Sequence, residues 1–96
     1  MKLFRWNDDK NLKLKIERGV SFEIAVRHIQ NNDILDILTH PNPKKYPNQK
    51  IFVIQMNNYV YYIPFVENED EIFLKNIIPS RKYKNLYNKE ANHEEN

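Results

Sequence analysis

A single glycine among 96 residues is the strongest constraint that this sequence sets on its fold. The P-loop and the dinucleotide fingerprint need several glycines where the backbone approaches a phosphate group closely. Nucleotide-binding folds of those two kinds are therefore excluded. Gly19 instead follows a helical pattern that begins at Asn7 or Asp8 and ends near Arg18. We predict that Gly19 closes this helix in the left-handed conformation.

The chain has no cysteine, which excludes a disulfide scaffold, a thiolate zinc site and a cysteine nucleophile. Its length suits one domain, which we expect over residues 1–87, followed by a polar tail over residues 88–96. No apolar run reaches the roughly 18 residues of a membrane span. The first residues lack the apolar stretch of a signal peptide, so we expect a cytoplasmic protein rather than a membrane or secreted one.

The hydrophobic pattern predicts two helices and then strands. Ser21 is the expected N-cap of the second helix, which Asn31 and Asn32 close. Pro64 lacks a backbone N–H, so it indicates a strand that lies at an edge or ends in a bulge. We predict strands over 34–38, 51–56, 59–66 and 71–78, an edge strand or packing arm over 3–6, and a short terminal helix near 83–87.

These elements predict an α+β domain. The strands from residue 51 onward are joined by short turns, which requires antiparallel pairing. Two helices that precede them can cover only one face of the sheet. We therefore expect an N-terminal helical hairpin packed on a small antiparallel sheet of three to four strands, followed by the short C-terminal helix.

Positive charge is unevenly distributed although the net charge is only +2. It concentrates in Lys10–Arg18, Lys44–Lys50 and Lys75–Lys84, and the last two stretches contain no acidic residue. If the fold brings those two together, they form a basic groove suited to a phosphate backbone. Scattered, solvated lysines remain the alternative interpretation of such mild basicity.

Three segments resemble a known family. Residues 4–11 (FRWNDDKN) resemble the opening F-x-W-D-x-x-K-N of the BrnT toxins, and residues 17–25 (ERGVSFEIA) resemble the family's K-H-G-V-S-F-E-E-A. Residues 76–82 (NIIPSRK) are similar to R-I-I-S-A-R-K, and Tyr87 lies near the family's terminal E-R-x-x-Y. Arg18 stands where the family has histidine, and the proline- and lysine-rich segment 40–49 departs from the family pattern.

The resemblance implies a fold, an activity and partners. BrnT proteins are toxins of type II toxin–antitoxin systems with a RelE-like fold. The resemblance therefore implies a ribonuclease that arrests translation by cleaving RNA, such as mRNA, free or on the ribosome. It also implies a small DNA-binding antitoxin as partner, with which the toxin forms a hetero-oligomer.

RNA cleavage by attack of the 2′-hydroxyl on the adjacent phosphorus needs no metal ion and no cofactor. It needs groups that transfer protons and cations that stabilise the charged transition state. Arg81 matches the family's C-terminal arginine, and its planar guanidinium can grip two phosphate oxygens. His40 is the candidate for proton transfer, and Tyr46 is a candidate for proton donation or base stacking. Arg81, His40 and Tyr46 are thus the expected catalytic residues.

The expected phosphate contacts are cationic residues of the basic stretches and of the first helix. Lys15 and Arg18 lie three positions apart, so they share a helix face. The full set is Lys15, Arg18, Lys44, Lys45, Lys50 and Lys82. The histidines show no spacing typical of metal ligands, so no metal site is expected.

A second function class stays open, namely a binding module without catalysis. It would bind RNA or DNA, or offer an exposed sheet edge to a protein partner. The position of His40 and Tyr46 relative to Arg81 separates the two classes. A nuclease should bring them within a few ångströms, whereas a binding module need not.

Overall fold

Two helices and a mixed sheet of six strands form the part of the chain that a computed structural model describes, residues 2–80. The elements are β1 (Leu3–Arg5), α1 (Asp8–Arg18), α2 (Phe22–Gln30), β2 (Asp36–Thr39), β3 (Gln49–Met56), β4 (Tyr59–Glu67), β5 (Glu71–Leu74) and β6 (Ile78–Pro79). The predicted α+β class is confirmed. The predicted terminal helix near residues 83–87 and the tail 88–96 lie outside the described residues.

Both helices begin and end at the residues that the sequence indicates. The side chain of Asn7 accepts the N–H of Lys10 at 2.9 Å, and that of Ser21 accepts the N–H of Ile24 at 3.3 Å. Gly19 has a φ of 67°, and its N–H reaches the carbonyl oxygen of Lys15 at 3.2 Å. This left-handed closure of α1 confirms the prediction for the only glycine.

The sheet has the order β1-β5-β4-β3-β2, with β6 also paired to β4. The prediction of three to four antiparallel strands is therefore wrong, because the arm at residues 3–5 and the segment before residue 80 also join the sheet. β1 runs parallel to β5, with Leu3 opposite Glu71. A parallel pair requires a long connection, and everything from α1 to β4 lies between these two strands. The helical pair consequently follows a strand and does not open the fold.

The predicted strand 71–78 is divided in two. β5 ends at Leu74, and β6 is limited to Ile78–Pro79. Between them the side chain of Asn76 accepts the N–H of Ile77 at 2.8 Å. A local side-chain contact of this kind replaces a ladder hydrogen bond and interrupts the strand.

Pro64 lies in the central strand β4, so its predicted position at an edge is wrong. The proline is opposite Ile51 of β3, and its carbonyl oxygen accepts the N–H of Lys75 at 2.8 Å. The N atom and the carbonyl group of one strand residue face the same side, so the missing N–H faces the interruption between β5 and β6. The missing N–H of Pro64 therefore leaves no carbonyl group of β3, β5 or β6 without its hydrogen bond within the sheet.

The core lies between the two helices and one face of the sheet. Alternate residues of β4, Tyr61, Ile63 and Phe65, face the helices, as the period of a strand requires. The described cluster also includes Leu14, Val20, Phe22, Ala25, Phe52, Ile54, Met56, Ile72, Leu74 and Ile77. Among the described helices, none is long and apolar enough to span a membrane.

Candidate nucleic-acid interface

An aromatic pair with an adjacent lysine lies in the loop between β2 and β3. The rings of His40 and Tyr46 contact each other with centroids 4.4 Å apart and planes tilted by 43°. The Nζ atom of Lys45 lies 5.5 Å from the centroid of the Tyr46 ring. Both rings are half-buried, so each keeps a surface open to solvent. We refer to residues 40–50 as the basic loop.

Asn42 gives the basic loop its shape, a role that the sequence analysis missed. Its carbonyl oxygen accepts the N–H of Tyr46 at 3.0 Å, and its side-chain oxygen accepts the N–H of Lys45 at 3.3 Å. Asparagine commonly forms such turns, and its place between two prolines was the available signal. Tyr46 is brought back toward His40 by this turn.

His40 is held in one tautomer by the same residue. The backbone N–H of Asn42 donates to Nδ1 of His40 at 3.0 Å. A neutral imidazole has one acceptor nitrogen and one N–H, so this bond assigns the proton to Nε2. In this arrangement His40 offers a hydrogen-bond donor to a ligand, while its only lone pair is already occupied.

The lysines of the basic loop carry charge that the described residues do not balance. Lys44, Lys45 and Lys50 are exposed, and none of them takes part in an ion pair within residues 2–80. Uncompensated lysines beside exposed ring surfaces are typical of surfaces that bind single-stranded nucleic acid. The structure therefore groups His40, Tyr46, Lys44, Lys45 and Lys50 in one loop.

Lys15 and Arg18, which we expected to act together, have different neighbours. Lys15 forms an ion pair with Glu23 of α2 at 2.9 Å. Arg18 donates instead to the carbonyl oxygen of Ile77 at 2.6 Å. Lys15 thus joins the two helices, whereas Arg18 joins α1 to the segment before β6.

Glu23 is the centre of the contact between the helices. It accepts hydrogen bonds from Lys15 and from the side-chain amide of Asn11. The hydrogen bond from Lys15, followed by that from Asn11, holds the pKa of Glu23 below its ordinary value. The buried Asn11 also accepts the backbone N–H of Phe22 at 2.8 Å.

Residues 4–11 and 17–25 therefore meet in the structure. Trp6 and Phe22 stack with ring centroids 5.9 Å apart, and Asn11 bonds to both Phe22 and Glu23. These residues position the helices and the first strand, which is a structural role. The contacts of Asn11 and Lys15 with Glu23 were not predicted from the sequence, although Asn11 and Glu23 both lie inside these segments.

A second basic region lies along α1, next to the chain between β5 and β6. A cavity there is lined by Lys10, Lys13, Leu14, Glu17, Arg18 and Asn76. Its only described carboxylate is Glu17, which lies 4.0 Å from Lys13. We refer to this as the α1 cavity. Sequence reasoning named Lys10 and Lys13 within a basic stretch but did not select them as contacts.

The basic loop and the α1 cavity lie on opposite sides of β4, since the loop joins β2 to β3 and Asn76 lies between β5 and β6. The N–H of His40 bonds to the carbonyl oxygen of Gln49, which is opposite Val66, while the N–H of Ser80 bonds to the carbonyl oxygen of Val60. Asn76 of the cavity directly follows Lys75, whose N–H bonds to the carbonyl oxygen of Pro64, so the cavity lies beside the middle of β4 and not at its Val60 end.

The described part of the third basic stretch therefore runs away from the basic loop, from Lys75 beside Pro64 to Ser80 beside Val60. It meets α1 through Arg18 and Ile77. Arg81 and Lys82 lie outside the described residues, and the predicted approach of Arg81 to His40 or Tyr46 stays a prediction.

Histidine and carboxylate side chains do not converge as a metal site would require. Within residues 2–80 no group of three or more potential ligands is close enough to hold a metal ion. His28 has a single carboxylate beside it, with Nδ1 2.9 Å from an oxygen of Asp33.

In comparisons with known proteins, no family model, no curated protein and no solved structure matches the chain significantly.

Proposed function

We propose that this protein binds RNA through its basic loop, and that it does so as the toxin of a type II toxin–antitoxin pair. The observation that supports RNA binding is the contact between the His40 and Tyr46 rings, beside lysines that form no ion pair within residues 2–80. Lysines attract the phosphate backbone, and exposed ring surfaces accept unpaired bases. The toxin role rests on the BrnT resemblance of residues 4–11, 17–25 and 76–82.

The resemblance also gives the proposal its cellular setting. A BrnT-like toxin with a RelE-like arrangement would act in the cytoplasm on RNA, free or on the ribosome. Its partner would be a small DNA-binding antitoxin, and the two would form a hetero-oligomer. Cleavage of the bound RNA without a metal ion is the activity that this family implies.

The geometry of His40 favours binding over cleavage. A general base needs a free lone pair within reach of the 2′-hydroxyl. The lone pair on Nδ1 already accepts the N–H of Asn42, so His40 presents the N–H on Nε2. That group can donate to a phosphate oxygen or a base. RNA binding is therefore the primary proposal, and cleavage by Arg81, with a different proton acceptor, is the secondary one.

Fluorescence anisotropy with a labelled, mixed-sequence single-stranded RNA tests the binding proposal. We expect the affinity of the triple variant Lys44→Ala/Lys45→Ala/Lys50→Ala for RNA to depend less on salt. The slope of log affinity against log salt concentration should be smaller in magnitude by about 2, which is about 0.7 for each lost phosphate contact. The matched control, Lys2→Ala/Arg5→Ala/Arg27→Ala, removes the same charge from residues outside the basic loop. Equal losses in both variants would show that only net charge matters.

Growth arrest on expression tests the toxin proposal separately. We expect the wild-type chain to arrest growth and Arg81→Ala to abolish the arrest while it still binds the antitoxin. Unchanged toxicity in a folded Arg81→Ala protein would exclude Arg81 as a catalytic group. A neighbouring short reading frame for a ribbon-helix-helix or helix-turn-helix protein supports the pair, and its absence favours a binding module without an antitoxin.

A further inference from the structure

We propose that the α1 cavity is a second phosphate-binding site, which takes a backbone phosphate of the RNA bound at the basic loop. Lys10, Lys13 and Arg18 line it together with the amide of Asn76. The proposal rests on the RNA-binding function proposed above, and the site lies on the other side of β4 from the basic loop.

The spacing of the cations follows from helix geometry. Lys10 and Arg18 lie on one i, i+4, i+8 row with Leu14 between them, and Lys13 is three positions after Lys10, so all three cations border the same cavity. Three positive charges face one carboxylate, Glu17, whose nearest lysine contact is at the 4.0 Å limit of an ion pair. The cavity therefore keeps a net positive charge, which suits a phosphate group.

Two of the polar groups are already oriented. Arg18 donates one N–H to the carbonyl oxygen of Ile77 at 2.6 Å, and a guanidinium carries five N–H groups in a rigid plane. The oxygen of the Asn76 side chain accepts the N–H of Ile77 at 2.8 Å. The NH₂ group of Asn76 therefore points away from that bond and can donate to a ligand. Fixed donors lose less conformational freedom on binding than free ones.

The position of the cavity gives a length dependence. Both regions border the same domain but lie on opposite sides of β4, so one RNA strand must be long enough to reach from one to the other. We expect an oligonucleotide of about 12 nucleotides to engage both regions and one of about 4 to engage only one at a time. Removal of the α1 cavity charges should then weaken the longer RNA more than the shorter one.

Two-dimensional NMR with inorganic phosphate tests the site without RNA, and anisotropy with the longer RNA tests its role. We expect phosphate to shift the amide signals of residues 10–18 and 76–77 saturably, and Lys10→Ala/Lys13→Ala to abolish these shifts. In the RNA assay, the slope of log affinity against log salt concentration should be smaller in magnitude by about 1.4 for this variant than for wild type. The control Arg5→Ala/Arg27→Ala removes equal charge and should retain both the shifts and most of the slope.

Two single substitutions separate a phosphate site from general attraction. Asn76→Asp keeps the oxygen that accepts the N–H of Ile77 but replaces the donor with a negative charge, so it should abolish the phosphate shifts. Glu17→Gln removes the competing carboxylate and should tighten phosphate binding several-fold. Unchanged binding in both variants, or equal losses in the Arg5/Arg27 control, would overturn the proposal.

The outcomes distinguish this site from the proposed function. If the lysine variant of the basic loop loses RNA affinity but Lys10→Ala/Lys13→Ala behaves like its control, RNA binding stands and the second site is wrong. If wild-type protein binds phosphate at the α1 cavity but does not bind RNA, the phosphate site stands without the proposed function. If only RNA, and not phosphate, shifts residues 10–18, the site as proposed here is wrong.

Discussion

Arg18 donates a hydrogen bond to the carbonyl oxygen of Ile77 across 2.6 Å, and this contact joins two segments that are far apart in sequence. It holds the last turn of α1 against the chain between β5 and β6. Ile77 is itself fully buried in the core. The contact therefore fixes one wall of the α1 cavity and the course of the chain toward Ser80.

Arg18→Ala should destabilise the fold modestly. A hydrogen bond from a charged group contributes about 1.5–3 kcal/mol, and the solvent exposure of Arg18 reduces the expected loss below this range, to about 1 kcal/mol. Urea denaturation measures this loss. Lys13→Ala, on the same helix, is the control and should change stability by less than about 0.5 kcal/mol. Equal stability of Arg18→Ala and Lys13→Ala would show that the Ile77 contact contributes nothing.

Asn11→Ala should be more damaging than any substitution of an exposed α1 residue. It removes the acceptor for the buried N–H of Phe22 and the amide that bonds to Glu23, at a cost of about 2 kcal/mol in the free energy of unfolding. Urea denaturation again provides the value.

A paired substitution tests the same contact in reverse. Asn11→Asp keeps an oxygen for the N–H of Phe22 but places two carboxylates together, so it should be unstable at neutral pH. Adding Glu23→Gln supplies an NH₂ donor to the new carboxylate and should restore much of the stability. The absence of any rescue would contradict the assigned geometry.

Glu23 should contribute to the pH dependence of stability. Its pKa is lowered in the folded state, first by the hydrogen bond from Lys15, so the folded protein favours the charged form more than the unfolded chain does. The stabilisation is present above the ordinary glutamate value of about 4.3 and is lost as the pH falls below it. The free energy of unfolding of Glu23→Gln should therefore fall less than that of wild type when the pH is lowered from about 6 to about 3. Parallel pH profiles for the two proteins would contradict this.

Tyr46 should act through its ring and not through its hydroxyl group. If a base stacks on the His40 and Tyr46 pair, Tyr46→Phe should keep most of the RNA affinity. Tyr46→Ala should lose about 1–3 kcal/mol of binding free energy, the usual contribution of one stacked base. Anisotropy with single-stranded RNA measures both. A large loss in Tyr46→Phe would instead indicate that the hydroxyl group makes the essential contact.

Local signals predicted the local structure well. Asn7, Ser21 and Gly19 each act at a helix end through their own side chain or backbone freedom, so the residue type alone was sufficient. The short turn predicted between the strands 51–56 and 59–66 is formed by Asn57 and Asn58, and both residues have the positive φ that a tight hairpin needs.

Long-range pairing could not be read in the same way. The parallel pairing of β1 with β5 depends on a contact between the two ends of the described chain. β1 has only three residues, which is too short for a hydrophobic pattern to indicate its partner strand. Pro64 was placed at an edge because its missing N–H was considered alone. Its central position is tolerated only because β5 and β6 are interrupted beside it.

The candidate site was predicted in part. The basic loop residues were selected from their types, and the structure groups His40, Tyr46 and Lys45. Residue types did not show that Asn42 occupies the lone pair of His40, because that contact depends on the loop conformation. They also did not show that Lys15 and Arg18 contact different partners.

The most direct test of RNA binding through the basic loop is an NMR titration of the full chain with a single-stranded RNA of about 12 nucleotides. We expect saturable changes in the amide signals of residues 40–50, together with changes in residues 10–18, while the edge strand β1 is unaffected. Saturating RNA that leaves the signals of residues 40–50 unchanged would contradict the proposal.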